Sequence, residues 1–138
     1  MKRLSLALLC LGLCACAPNT PPKSEMIYAQ LARDYIGQGD WALAHIKLND
    51  LRAIQPTPAV YYSLSAYLAQ KEGREDEVAG FYTAGLAQYP DNVALLNNEG
   101  VWLSRHGQAI KAMACFKHAL RFALPQEAVH IRKNIAGI

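Results

Sequence analysis

The chain has 138 residues, of which 52% are hydrophobic and 18% charged, with a formal net charge of +3 at pH 7. A charge this small gives no global attraction to a polyanion, so nucleic acid is not an expected partner. Four cysteines are the only material for disulfide chemistry, and the N-terminal segment holds three of them.

The first predicted element is a leader, MKRLSLALLCLGLCA. Lys2 and Arg3 precede an uncharged apolar run from Leu4 to Ala15, too short for the roughly 20 residues that span a bilayer. A basic start, a short apolar core and a small residue at the cut describe a secretory signal. Leu13-Cys14-Ala15-Cys16 resembles a bacterial lipobox, in which a small residue precedes the cysteine that becomes the mature N-terminus. Cys14 follows the bulky Leu13, whereas Cys16 follows Ala15 and fits. The resemblance implies a lipoprotein signal peptide over 1–15 and lipid attachment at Cys16: a thioether-linked diacylglycerol and an acylated amino group. Several acyl chains give stable anchoring where one does not. No cofactor besides this covalent lipid is expected. Ala17 in place of an aspartate implies, by the same resemblance, the outer membrane, with the protein facing the periplasm.

With residues 1–15 removed, Lys2 and Arg3 leave and the formal charge falls from +3 to +1. Cys10 and Cys14 leave too, and Cys16 is acylated. Cys115 then has no cysteine to pair with. Residues 16–24 read as the lipidated cysteine and a proline-rich tether, since APNTPPKS lacks apolar periodicity. Eight residues reach about 26–29 Å at full extension, which holds the following domain near the lipid surface.

Beyond the tether one pattern recurs. Gly39, Gly73 and Gly107 are spaced by 34 residues, as are Pro56 and Pro90. A fixed period of this size signals a solenoid. Aligning 25–58, 59–92 and 93–126 gives three units, each with two helix-length apolar stretches separated by the recurring glycine. The first stretch carries a large residue (Tyr28, Tyr62, Leu96) and, four residues on, a small one (Ala32, Ala66, Gly100). A knob one turn from a hole lets helices approach closely. The second stretch carries Ala44, Val78 and Ala112. Leu48, Tyr82 and Phe116 follow after four residues, and Leu51, Gly85 and Ala119 after three more, the stripe of an amphipathic helix. The glycines are expected to end the first helix of each unit in a left-handed cap. Asp40, Thr57 and Asp91 are the expected N-caps of the helices that follow, with Pro58 at a first helical position. After Pro125, the segment 127–138 places Ala128, Ile131, Ile135 and Ile138 on one face. It reads as a capping helix.

The 34-residue helix–turn–helix unit, with small residues at its eighth and twentieth positions and proline near its thirty-second, resembles the tetratricopeptide repeat. The resemblance covers Glu25–Gln126. It implies an all-α fold: a tetratricopeptide-repeat solenoid of three helix–turn–helix units with a C-terminal capping helix. It also implies a concave surface lined by the first helix of each unit. By the family's geometry that groove receives Met26, Ala29, Arg33, Ile36 and Gly37 from the first unit. The second contributes Val60, Ser63, Tyr67, Gln70 and Lys71, and the third Ala94, Asn97, Val101, Ser104 and Arg105. Arg33, Lys71 and Arg105 make this expected lining basic, without an acid. It suits a peptide or helix with apolar anchors and some negative charge, with Tyr67 the leading anchor.

Neither the histidines nor Cys115 suggest catalysis. His45, His106, His118 and His130 have no ligand partner at i+4. Cys115 has no activating neighbour in sequence. The acidic run Glu72-Gly73-Arg74-Glu75-Asp76-Glu77 falls at a turn and a helix start, where a solvated face is expected. The reading therefore expects no catalytic residue, no metal, no small-molecule substrate and no enzyme. One charge asymmetry stands out: Cys16–Ser104 holds six basic and ten acidic residues, and Arg105–Ile138 six basic and one acidic.

MIYAQLARDYIGQGDWALA and LLNNEGVWLSRHGQ resemble repeats of the pilotin-type lipoproteins of type IV pilus biogenesis. That resemblance implies an outer-membrane scaffold that binds a protein partner, a secretin or another pilus-assembly subunit, and supports secretin assembly or localisation. The family often has more repeats than three. Lipoproteins of the Flp/Tad pilus apparatus and periplasmic adaptors for peptidoglycan enzymes are the alternatives.

Overall fold

Seven α-helices and no strand make up residues 22–138, the part of the chain described by the computed structural model. The leader, Cys16 and most of the tether lie outside the described residues. The helices are α1 (Lys23–Gln38), α2 (Trp41–Ala53), α3 (Ala59–Lys71), α4 (Glu75–Gln88), α5 (Val93–Arg105), α6 (Ala109–Leu120) and α7 (Pro125–Ala136). They pack as three hairpins, α1–α2, α3–α4 and α5–α6, and successive hairpins meet through α1–α3, α2–α3, α3–α5 and α4–α5. Helix α7 closes the series against α6.

The three turns within hairpins are built alike. Gly39, Gly73 and Gly107 have φ of 77°, 73° and 72°, a region that costs a residue with a Cβ about 1–2 kcal/mol. The amide after each glycine donates back across the turn, Asp40 to Tyr35, Arg74 to Ala69 and Gln108 to Leu103, at 3.0, 2.8 and 2.9 Å. These six-to-one bonds satisfy carbonyls that the helix ends would otherwise leave unpaired. Asp40 caps α2 as expected, its carboxylate accepting from the Leu43 amide at 3.1 Å.

The other predicted boundaries shift. Helix α1 starts at Lys23, two residues inside the predicted tether, because the prolines stop at Pro22 and nothing after them opposes helix. Thr57 is not a cap: its hydroxyl donates to the Arg52 carbonyl at 3.2 Å, and Pro58 stands at the N-cap with Ala59 first in α3. At the third unit Asn92 replaces Asp91, accepting from the Leu95 amide at 2.9 Å. The final helix begins at Pro125 and ends at Ala136, not 127–138, since Glu127 reaches back to accept from the Leu124 amide at 2.8 Å.

The sequence stripes form the interior. Ala32, Ala66, Ala44, Val78, Ala112, Leu48, Tyr82, Phe116, Leu51 and Ala119 are all buried, as are Gly85 and Gly100. The core is divided into three clusters. The first spans α1 and α2 with Leu64 and Leu68 of α3, the second joins α3 and α4 to Leu95 of α5, and the third unites α5, α6 and Ile131 of α7. Each large buried side chain contributes roughly 1.5–3 kcal/mol of transfer free energy. All three clusters, with the residues packed against them, fall within Tyr28–Ile135, so a chain beginning at Ala17 retains the whole core.

Polar contacts cross the junctions between hairpins. His45 Nε2 lies 3.0 Å from Glu72 Oε1, His118 Nε2 lies 2.8 Å from Asp91 Oδ1, and His106 Nε2 lies 3.4 Å from Glu75 Oε2. Trp102 Nε1 donates to the same Glu75 oxygen at 3.0 Å, and the Tyr89 hydroxyl donates to the Thr57 carbonyl at 2.7 Å. Part of the acidic run is thus engaged: Glu72 and Glu75 meet neighbouring hairpins, and Arg74 ties Glu72 to Glu77. Burial works against ionisation of Glu72, and Arg74 and His45 outweigh it to hold the carboxyl below its ordinary range.

Candidate protein-binding groove

The first helices of the three hairpins, α1, α3 and α5, line one wide cavity with a volume of about 680 Å³. Eight of the fifteen residues expected there do line it: Arg33, Val60, Ser63, Tyr67, Gln70, Ala94, Val101 and Arg105. Met26, Ala29, Ile36, Gly37, Lys71, Asn97 and Ser104 do not, and Ala29 is buried in the first core cluster. Ile36 is 2% exposed and belongs to the first core cluster, because α1 turns this side chain into α2. Asn97 is turned toward α7, where its side-chain carbonyl accepts from Asn134 Nδ2 at 2.9 Å; Asn98 takes its place in the lining. Lys71 stands at the rim, its ammonium 5.3 Å from the centre of the Tyr67 ring, close enough for a cation–π contact.

The floor holds two aromatic residues that positional expectation missed. Trp102 follows Val101 by one residue and shares a helical face with Asn98, four residues earlier. Tyr82 reaches the cavity from α4, at 3% exposure. Burial pushes the Tyr82 phenol up to about 12, with Gln70 and Arg105 pulling the other way, so it remains a neutral hydroxyl across the physiological range.

Charge is unevenly distributed along the groove. Arg33 donates to Gln30 at 3.3 Å, and no ion pair engages Arg33, Lys71 or Arg105 among the described residues. The lining does contain an acid, contrary to the sequence expectation. Glu25 lies in it, eight residues before Arg33 and so about 12 Å away along α1. One end of the trough is therefore acidic and the rest basic, with Val60, Leu64, Tyr67, Ala94 and Val101 between. This arrangement can hold an extended, amphipathic ligand in one direction.

Cys115 lies apart from the groove, half-buried, with its thiol 3.4 Å from Glu99 Oε2. Burial first, and then the Glu99 charge, push it up to about 12. In a chain beginning at Ala17, which carries Cys115 alone of the cysteines, a disulfide reagent at mildly alkaline pH should react roughly a thousandfold more slowly than with a free thiol. Unfolding in guanidinium should restore the ordinary rate. Among the described residues no group of three acidic, histidine or cysteine side chains could hold a metal ion, and no helix is long and apolar enough to cross a membrane.

No protein-family model matches the chain, and no match is found among curated proteins or solved structures.

Proposed function

We propose that the chain is a tetratricopeptide-repeat lipoprotein of the outer membrane, a non-enzymatic scaffold that binds a protein partner in its groove. Within that role it supports type IV pilus biogenesis through assembly or localisation of the secretin. The observation that carries the reading is the groove itself: an apolar trough edged by Arg33, Lys71 and Arg105, with Tyr67 38% exposed at its centre. Free cations beside an exposed aromatic suit a peptide segment better than a reacting small molecule. The 34-residue recurrence of glycine turns and buried small residues supports the repeat class. The leader supports the location, with Cys16 as the anchor.

Deleting the gene should remove surface pili and heat-resistant secretin multimers, and a wild-type copy should restore both. Normal secretin multimers in the deletion strain would end the pilus reading and leave an adaptor for other envelope proteins. The anchor is tested separately. Cys16→Ser should abolish palmitate labelling and membrane retention, whereas Cys14→Ser should leave both intact. Continued labelling of Cys16→Ser would mean that another cysteine carries the lipid.

A further inference from the structure

The last hairpin and α7 carry a surface that the groove does not use. Phe122 and Leu124, in the loop between α6 and α7, are 46% and 56% exposed, and Val129 on the outer side of α7 is 63% exposed. Large apolar side chains at such exposure are normal singly, but a group of them marks a contact surface. Here they are interleaved with cations. The Arg121 guanidinium lies 5.8 Å from the centre of the Phe122 ring, and Arg132 and Lys133 are exposed three and four residues beyond Val129. No ion pair engages Arg121, Arg132 or Lys133 among the described residues.

The nearby carboxylates are outnumbered. Glu127, the lone acid from Arg105 onward, accepts from the Leu124 amide. Asp91 is held by His118, whose ring stacks near Phe122 at 5.7 Å. The surface is thus positive and apolar at once. Neither of the two principal cavities includes a residue beyond Arg105. A lipid surface needs no shaped recess, only cations at headgroup depth with apolar side chains beside them.

We infer that this end of the solenoid is a membrane-docking face that binds an anionic lipid surface. Phe122, Leu124 and Val129 enter the headgroup boundary, and Arg121, Arg132 and Lys133 meet the lipid phosphates. This contact is independent of the groove and of any lipid on Cys16. It gives the domain a preferred orientation on a membrane that a lipid on Cys16 alone cannot set.

The test uses the chain beginning at Ala17, which keeps the whole core and has no acyl group. It should co-sediment with vesicles of phosphatidylcholine mixed with phosphatidylglycerol and stay in the supernatant with phosphatidylcholine alone. Added salt should release it. Reversing two cations, in Arg132→Glu/Lys133→Glu, should weaken partitioning by more than roughly 25-fold, since each basic residue near an anionic surface contributes about fivefold. Phe122→Ser/Leu124→Ser should also lose binding, with the charge unchanged. All four positions are exposed, so helical content should be retained in both variants. The inference is overturned if the parent chain fails to sediment with the mixed vesicles, as it would if this face served an acidic protein. It is equally overturned if either folded variant sediments like the parent.

Discussion

Replacing Gly100 by alanine should destabilise the protein, whereas the same change at Gly80 should stabilise it. Both glycines lie inside helices, where alanine is favoured by about 1 kcal/mol. At Gly80 a new Cβ would meet nothing within 4 Å, so the helical gain stands alone. At Gly100 it would lie 2.7, 2.9 and 2.9 Å from three ring carbons of Phe116. That ring is 0% exposed, enclosed by α5, α6 and α7, and cannot swing aside. Overpacking costs about 1–3 kcal/mol, which outweighs the helical gain and leaves a net loss of up to about 2 kcal/mol. Gly100→Trp should prevent folding altogether. Urea titrations of the three variants, followed by circular dichroism, give the comparison. A Gly100→Ala midpoint at or above that of the parent would show that α5 and α6 are not in close contact there.

Under the proposed role in secretin assembly, Tyr67→Ala combined with Arg33→Glu should abolish secretin multimers while protein level and membrane attachment stay as in the parent. Tyr67 sits on the middle helix of the groove wall, and it is the one large hydrophobic residue of the lining that is exposed. Truncating such an anchor commonly costs more than about 1 kcal/mol of binding. Arg33 has Gln30 as its hydrogen-bond partner and lacks an ion pair, so reversing it leaves no stranded carboxylate within the protein. The reversal would instead repel an acidic ligand. Neither side chain belongs to a core cluster, so stability should hold. Lys111→Glu, on an exposed position of α6 outside the groove, is the comparison. Multimers that persist in the double variant would move the docking surface elsewhere on the molecule.

The parts of this architecture that were legible in the sequence are those fixed by local sterics and repetition. A left-handed turn needs glycine, so Gly39, Gly73 and Gly107 marked the three turns. A close helix contact needs a small residue, so Ala32, Ala66 and Gly100 marked the crossings. Capping was harder to read, because neighbouring polar residues compete for it. Asp91 and Asn92 are both good caps; Asn92 took the position and Asp91 went to His118, a partner 27 residues away. The cavity wall was legible in part, with eight of the fifteen expected residues lining it. Ile36 faces α2 within its own hairpin, and Asn97 faces α7, which lies beyond the three hairpins. Tyr82 escaped notice since it comes from a second helix, and Glu25 since it stands before the first large apolar position of α1.

The partition of the interior into three clusters has a mechanical consequence. A protein with a single core resists tension as one body and gives way in one event. Here each hairpin has its own cluster and shares only a few side chains, such as Leu64, Leu68 and Leu95, with its neighbour, so nearest-neighbour contacts carry the coupling. Pulled between its two ends, the chain should yield hairpin by hairpin, lengthening in steps. Each step would absorb work while the remaining hairpins stay closed. A partner that tugs on one end would then extend the molecule before tearing it from whatever holds the other.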